Sequence, residues 1–411
     1  MIVVPSRMGQ INKRTLLSRL QKMGQGSRAE LARLLGISQP TAGRIVDELL
    51  EAQVLEEIQD NGTAAEGNRT NCRLGRPSRM LRLDSTHPRF LGMQLGVTET
   101  RLAALPLGIG NEDRWDAQFA TPGTAEQWLS ELRRTTSTMT SKGLWGVLVS
   151  VPGIVDEKAG RILFSPNLHW TEKVDLPALV QKVWNTPVLL VQEERALAMG
   201  HHAAFPADEN FLLVDFGEGV GGAVVVGGHS YSSPLPISGE LGHTPVLGNW
   251  RPCGCGAVGC VETLISTRGL IQSFALAAPQ APHTWPAVVK HIAEKGLTGW
   301  LAEATGAAAA VIAGAVNVLG VGHVVITGSL TELVPCVIEH LEQEVVKGTM
   351  WARFGKVTCV SAPRHRTAGL VAVGIDRLVS SLSDHTPAQH ALSAAHARSA
   401  SKRAPTSPTG A

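Results

Sequence analysis

The sequence has few cysteines, no long hydrophobic run and almost no net charge. Six cysteines in 411 residues are too few for a disulfide scaffold, and a chain of this length buries enough apolar surface to fold without one. No basic segment followed by a long apolar stretch opens the chain. The sparse, mostly scattered thiols then point to a reducing, cytoplasmic setting. The longest apolar run, AAAAVIAGAV at 307–316, stops at Asn317, well short of the roughly 20 residues that cross a bilayer, so no membrane span is expected. The net charge of +2 hides an asymmetry: residues 1–83 carry 13 Lys/Arg against 8 Asp/Glu, a surplus of +5, which leaves −3 for the rest. Such an imbalance suits contact between one end of the chain and a polyanion.

That end reads as three helices. Ile11, Leu16, Leu17 and Leu20 can share one helical face. In SRAELARLLG, Ser27 and Glu30 have capping-box spacing, Leu31, Leu34 and Leu35 supply an apolar stripe, and Gly36 ends the helix. After a tight turn Ser38 caps a third helix, with Ala42, Ile45, Val46, Leu49 and Leu50 facing inward and Gln39, Thr41 and Arg44 facing out. Apolar spacing alone fits any three-helix bundle. The continuation favours a winged helix-turn-helix: LLEAQVLEEIQ runs into a strand, a Gly/Asn-rich loop covers 61–71, and CRLGRPSRMLRLD returns with Arg73, Arg76, Arg79 and Arg82. The five arginines from Arg69 to Arg82 also fit a solvated basic loop. Arg76, held between Gly75 and Pro77 in an extended GRP, is the more specific feature, because such a segment can present a guanidinium to a narrow minor groove. Gln39, Thr41 and Arg44 are then expected to read base edges, with Arg73 and Arg76 in the wing and the other basic residues mostly on phosphate.

After Asp84 strand and helix signals alternate, with β-rich runs in RFLGMQLGV, WGVLVSVPG, TPVLLVQ, NFLLVDFGEGVGGAVVVGG and HVVITGS. Alternation of this kind predicts an α/β body. The Ala-rich stretch at about 303–318 reads as a helix against a sheet. From Ser383 the composition turns to Ala, Ser, Pro, His and Arg without apolar period, the pattern of a disordered tail. The expected organisation is therefore a head at 1–83, a two-lobed body at 84–382 hinged near 190–196, and a tail at 383–411.

Half of the cysteines lie in CGCGAVGC at 253–260, preceded by His243 in SGELGHTPV. Three thiolates and one imidazole in a glycine-rich stretch match a closed tetrahedral Cys3His site for structural Zn2+, with His243, Cys253, Cys255 and Cys260 as ligands. A disulfide between such close cysteines would be strained and would leave one thiol over. The scattered Cys72, Cys336 and Cys359 read as ordinary buried thiols. With no vacant ligand position the ion's task is structural, and such sites contribute on the order of 10 kcal/mol to local order. Glu240 and Glu262 flank the ligands, so the metal loop holds two carboxylates near one place, where they can accept from sugar hydroxyls.

GELGH at 239–243, CGCGAVGCVET at 253–263, SVPGIVD at 150–156 and SPNLHW at 165–170 together resemble the ROK family of repressors and sugar kinases. The resemblance runs from about Arg7 to about Ser381. It implies an actin-like ATPase fold of two ribonuclease-H-like lobes with a sugar in the cleft, usually as homodimers or homotetramers. Members with an amino-terminal winged helix are generally sugar-responsive transcription regulators, so the implied partners are operator DNA and a sugar or sugar phosphate. The expected sugar contacts are Asn167, Gln192, Glu193, Glu240, His243 and Glu262.

The resemblance also supplies a test of catalysis. Kinase members have a first phosphate loop resembling D-x-G-G-T-K, where this chain has Gln94, Leu95, Gly96, Val97, Thr98 and Glu99. Their second loop resembles G-T-G-x-G, where GEGVG at 217–221 brings in Glu218. Like charges at ~4 Å cost about 1 kcal/mol in water and more in a drier cleft, so Glu218 opposes a polyphosphate. The family's Asn-Asp pair, whose Asp is the catalytic base, aligns with Gln192-Glu193, and the longer acid displaces the accepting oxygen. The expectation is a repressor of carbohydrate-use genes with no catalytic residue, Glu193 marking the degenerate base position. An ATP-dependent hexose kinase is the alternative.

Overall fold

The computed structural model describes residues 5–58, 79–110, 112–139 and 142–378. The first element, α1 (Pro5–Met23), is followed by β1 (Gly26–Ser27), α2 (Arg28–Leu35), α3 (Gln39–Glu51), β2 (Leu55–Ile58) and β3 (Met80–Leu83). Ser27 Oγ accepts from Glu30 N, Ser38 Oγ accepts from Thr41 N, and Gly36 closes α2, so the predicted caps are in place. The three strands form one antiparallel sheet in the order β1-β3-β2. A helix-turn-helix with a strand pair behind it is a winged helix. Two residues of the predicted stripe differ: Leu34 and Ile11 are exposed. The residues that fill the head core are Leu16, Leu17, Leu20, Leu31, Ile45, Val46 and Leu49. Arg69, Arg73, Arg76 and the tail at 383–411 lie outside the described residues.

The body repeats one topology twice. Its first lobe contains β4 (Phe90–Leu95), β5 (Glu99–Leu105), β6 (Ala117–Ala120), α4 (Ala125–Thr135), β7 (Gly146–Val151), β8 (Ile154–Asp156), β9 (Arg161–Phe164), α5 (Leu176–Gln181), β10 (Val188–Gln192) and α6 (Glu193–Ala204). The second contains β11 (Phe211–Phe216), β12 (Val220–Val226), β13 (His229–Ser230), α7 (Glu262–Ile265), α8 (Thr267–Ala277), α9 (Trp285–Lys295), α10 (Gly299–Leu319), β14 (His323–Gly328), α11 (Pro335–Gly348) and β15 (Thr358–Ser361), and the last described element is α12 (Arg366–Arg377). The two helices cross over, α6 packing mainly on β11 and β12 of the second sheet and α12 on β4, β5 and β7 of the first. One five-stranded sheet runs β6-β5-β4-β7-β10, the other β13-β12-β11-β14-β15. In both, the first two pairings are antiparallel and the last two parallel. This duplication is the actin-like arrangement of two ribonuclease-H-like lobes.

Composition explains how the layers close. Every residue of β7 and β11 is buried, as expected of central strands covered on both faces. The Ala-rich segment is longer than its sequence pattern suggests. Helix α10 has 21 residues and is long and apolar enough to cross a membrane by length and composition. Yet Leu301, Ala304, Ala308, Ile312 and Val316 pack into the core of the second lobe. Helix α12 lies between the lobes, with every residue from Arg366 to Ile375 buried. It shares one continuous apolar cluster with β4, α6 and the head, which joins Leu370, Val371 and Ile375 to Leu16, Leu17, Leu20 and Ile45. The head is therefore not a separate core on a tether. Arg89 reinforces the join: its guanidinium stacks over Trp145 and donates to the Ala52 and Gln53 carbonyls at the end of α3.

Candidate metal centre and inter-lobe cleft

The cysteine loop is shaped by its own backbone. Cys253 N donates to Ala257 O at 2.8 Å and Gly256 N to Cys253 O at 3.0 Å. Gly256 and Gly259 adopt φ of 89° and 86°, left-handed values that glycine accepts without strain. Asn249 Nδ2 holds the Cys260 carbonyl at 3.0 Å, and Arg251 ties the loop to the Thr263 carbonyl and to Ser273 Oγ of α8. His243 closes a short 3-10 turn, Leu241–His243, on the other side.

The result fits zinc by distance as well as by ligand type. One atom from each of His243, Cys253, Cys255 and Cys260 lies within 4.8 Å of the others. The Cys255–Cys260 Sγ separation is 3.7 Å and Cys253 Sγ stands 3.5 Å from His243 Nδ1. A tetrahedron with Zn–S near 2.3 Å and Zn–N near 2.0 Å has edges of about 3.8 Å and about 3.5 Å for those two pairs. Burial and the adjacent thiols push Cys260 up to about 12, the opposite of what a dication among the sulfurs does. Because Nδ1 faces the sulfurs, Nε2 is left for the cleft, 3.7 Å from Glu240 Oε2. His243 can thus serve both roles expected of it, one from each ring nitrogen.

The cleft between the lobes encloses about 500 Å³ and is lined by Asn167, Glu193, Glu240, His243 and Glu262 among others. Glu262 Oε2 accepts from Val220 N at 2.9 Å, so one of its oxygens is committed to the second glycine loop. Burial raises the pKa of Glu240, His243 lowers it in part, and Glu262 adds to the rise; the two carboxylates feel each other, as neighbours of one metal loop should. Gln192 does not line this cleft. Its amide donates to Ser238 O at 3.3 Å and approaches Glu240 Oε1 at 3.5 Å, so it braces the irregular segment that leads into Glu240.

Arg364, Arg366 and Asp215, which sequence reasoning missed, dominate the cleft floor. Arg366, first residue of α12, donates to Glu193 Oε1 through Nε and Nη2 at 2.9 and 2.8 Å. Gln94 Nε2 adds a third bond to the same oxygen at 3.0 Å. Arg364 clasps Asp215 with two bonds of 2.7 Å. Burial works to raise the Asp215 pKa, but the Arg364 charge and hydrogen bonds, with Arg366 and Thr327, outweigh it and hold the carboxyl below its usual range. Glu194 is the opposite case: burial, then the charge of Glu193, pushes it well above the normal carboxylate range. The only local signal for these arginines is PRHRTAGL at 363–370, two basic residues ahead of an apolar helix, which by itself reads as an ordinary helix start.

On the head, Gln39 and Arg44 are exposed and Thr41 is half-buried, all on α3. Thr41 Oγ1 is 2.8 Å from Ser38 Oγ, so its hydroxyl shares in the cap. Wing arginines expected on phosphate are otherwise engaged: Arg79 pairs with Glu57 and Arg82 with Glu56.

Comparison with known proteins agrees with this geometry. The sequence model described as "ROK family" matches residues 90–375. A xylose repressor of Bacillus subtilis (strain 168) is 27% identical over 270 residues, 64% of this chain and 67% of the relative. One from Caldicellulosiruptor bescii is 25% identical over 278 residues, so the chain spans only 65% of that relative's length. The solved structure of a ROK family transcriptional regulator, a homologue of the E. coli MLC protein, superposes with a TM-score of 0.72 at 20% identity, covering 91% of this chain and 97% of the other. A Streptomyces griseus ROK glucokinase solved with glucose and AMPPNP reaches 0.57 at 21% identity, over 69% of this chain and 97% of the other.

Proposed function

The chain belongs to the ROK family, and from that premise we propose that it is a DNA-binding transcription regulator, a repressor of carbohydrate-use genes controlled by a sugar or sugar phosphate in the inter-lobe cleft. Relatives named xylose repressors and a winged head on an actin-like body support the reading. In it, Gln39, Thr41 and Arg44 meet base edges, Arg73 and Arg76 enter from the wing, and the chain acts as a homodimer or homotetramer in the cytoplasm. Head, body and tail correspond to 1–83, 84–382 and 383–411.

One observation carries the proposal. Glu193 opens α6 and Arg366 opens α12, and the two are clasped at the cleft floor. Helix α1 of the head packs on the same two helices, and its Arg14 pairs with Asp376 near the end of α12. A ligand hydroxyl or phosphate that competes for Glu193 or Arg366 shifts the helix pair on which the head rests. A difference of about 1–3 kcal/mol in ligand affinity between two helix arrangements is enough for control.

The same clasp argues against catalysis. A general base needs an oxygen aimed at the substrate proton, and with three donors fixing the Glu193 carboxyl through Oε1 its Oε2 alone is left to accept one. Gln94 and Glu218 line the place of the phosphate loops, where neither supplies a metal-holding acid of the usual kind nor welcomes a nucleotide. Zinc at His243, Cys253, Cys255 and Cys260 would supply rigidity only. These residues hold Glu240 and Glu262 as hydroxyl acceptors, with Asn167 across the cleft.

The test is fluorescence anisotropy of the full chain on DNA from upstream of its own gene, titrated with pentoses, hexoses and their phosphates. One compound is expected to weaken DNA binding by roughly 5–150-fold, the range of ordinary coupling energies. Turnover of ATP with any of these sugars, lost in Glu193→Ala, would establish the kinase reading instead.

A further inference from the structure

At the end of the second lobe away from the cleft, a second set of metal-ligand side chains converges. Helix α6 finishes with His201 and His202, a turn carries Asp208 into β11, and β14 begins at His323. Strands β11 and β14 are parallel, pairing Leu212 with Val324, so their first residues emerge side by side. His201, 2% exposed, is set between the rings of Phe205 and Phe211 at 4.8 and 4.9 Å. Its Nε2 stands 3.0 Å from Asp208 Oδ2, and His323 Nε2 approaches the same oxygen at 3.5 Å.

An ordinary buried histidine has both ring nitrogens satisfied. Here His201 Nε2 and His323 Nε2 both face one Asp208 carboxylate oxygen, and His323 Nε2 is buried without a hydrogen-bond partner among the described residues. A cation placed between them takes one lone pair from each of the three ligand atoms, Nε2 of both rings and Oδ2 of Asp208. The ligand atoms lie within 4.8 Å of one another, and the separations of 3.0 and 3.5 Å bracket the edge of about 3.3 Å of a tetrahedron with bonds near 2.0 Å. Outer contacts of the supporting kind are present too. Thr358 Oγ1 is 2.8 Å from His323 Nδ1, and the Asp208 carbonyl is 2.9 Å from His202 Nδ1, fixing ring and turn.

We propose that His201, Asp208 and His323 form a second metal site, distinct from the cysteine centre, for a divalent first-row ion of the zinc class. Two imidazoles, one carboxylate and a remaining position for water suit such an ion. Bound there, it ties the end of α6 to the start of β14 and pins the turn at 205–210. That turn lies beneath the head: Gly228 N donates to Glu209 O of the turn at 2.8 Å, and a Cβ added at Gly228 would stand 2.8 Å from His202 Nε2 and 3.0 Å from Lys22 Nζ of α1. The ion therefore steadies the surface on which the first helix rests.

Zinc alone is the probe. The full chain is stripped, reloaded with Zn2+, passed through gel filtration and analysed for bound metal. About two ions per chain are expected for the native protein, and about one for either His323→Ala or Cys255→Ser. Cobalt loading should leave the thiolate-to-metal absorption of the cysteine centre unchanged in His323→Ala. Asp208→Asn, which keeps the shape of the turn, should lose the same ion while circular dichroism remains native. A native count that falls to zero in Cys255→Ser, or one that His323→Ala and Asp208→Asn leave untouched, overturns the site.

Discussion

Glu194 shows how a single residue sets a pH limit. Its carboxyl lies against Gly221, where an added Cβ would meet Oε1 at 2.5 Å, and burial followed by Glu193 raises its pKa well above 4.5. A carboxyl with a raised folded-state pKa binds a proton that the unfolded chain releases, so its contribution is present at low pH. Stability is then lost as pH rises from 4.5 through the raised value. Glu194→Gln keeps the shape and cannot ionise. The variant should match the native protein near pH 5 and melt a few degrees higher near pH 8, as read by Tm across that interval of about three pH units. Equal slopes of Tm against pH would mean that Glu194 ionises freely in the fold.

At the scale of elements the deciding feature is the crossing of α6 and α12. A Cβ on Gly369 would stand 1.7 Å from the Ala196 carbonyl oxygen, and one on Gly200 would stand 1.9 Å from that of His365. Both are backbone collisions that no rotamer relieves. Gly369→Ala should therefore cost at least the upper end of the roughly 1–3 kcal/mol typical of overpacking. It should appear as a lower urea midpoint at unchanged m-value. The same crossing explains what the sequence concealed. The convergence of His243, Cys253, Cys255 and Cys260 was legible because all four fall within one short stretch, and candidate ligands are read from spacing. The caps at Ser27 and Ser38 were legible for the same local reason. Glu193 and Arg366 are 173 residues apart and Gln94 lies 99 before Glu193; their meeting depends on two glycines letting helices touch, and no periodicity announces that. Gln192 was drawn into the sugar site by its neighbour, since adjacency in a motif does not say which way a side chain turns at the end of a strand. Leu34 and Ile11 fit a helical stripe but lie at its margin, where burial depends on what packs alongside.

For the whole molecule, the shared apolar cluster decides how the head can move. Leu16, Leu17 and Leu20 of α1 sit in one core with Leu370, Val371 and Ile375 of α12, so separating head from body exposes both faces. The head contains no tryptophan, while the body holds all nine. Melting followed by tryptophan fluorescence reports the body, and melting followed by loss of DNA binding reports the head. The two curves should coincide, because cooperative units with a common core unfold together. Arg14→Ala should leave them coincident, since an exposed ion pair such as Arg14–Asp376 contributes about 0–1 kcal/mol. Leu17→Ala, which opens a cavity in the shared core at a typical cost of about 2–5 kcal/mol, should lower both curves together. A head that melted first would uncouple it from α12, and a signal leaving the cleft through Glu193 and Arg366 would then have no rigid element to carry it to the DNA.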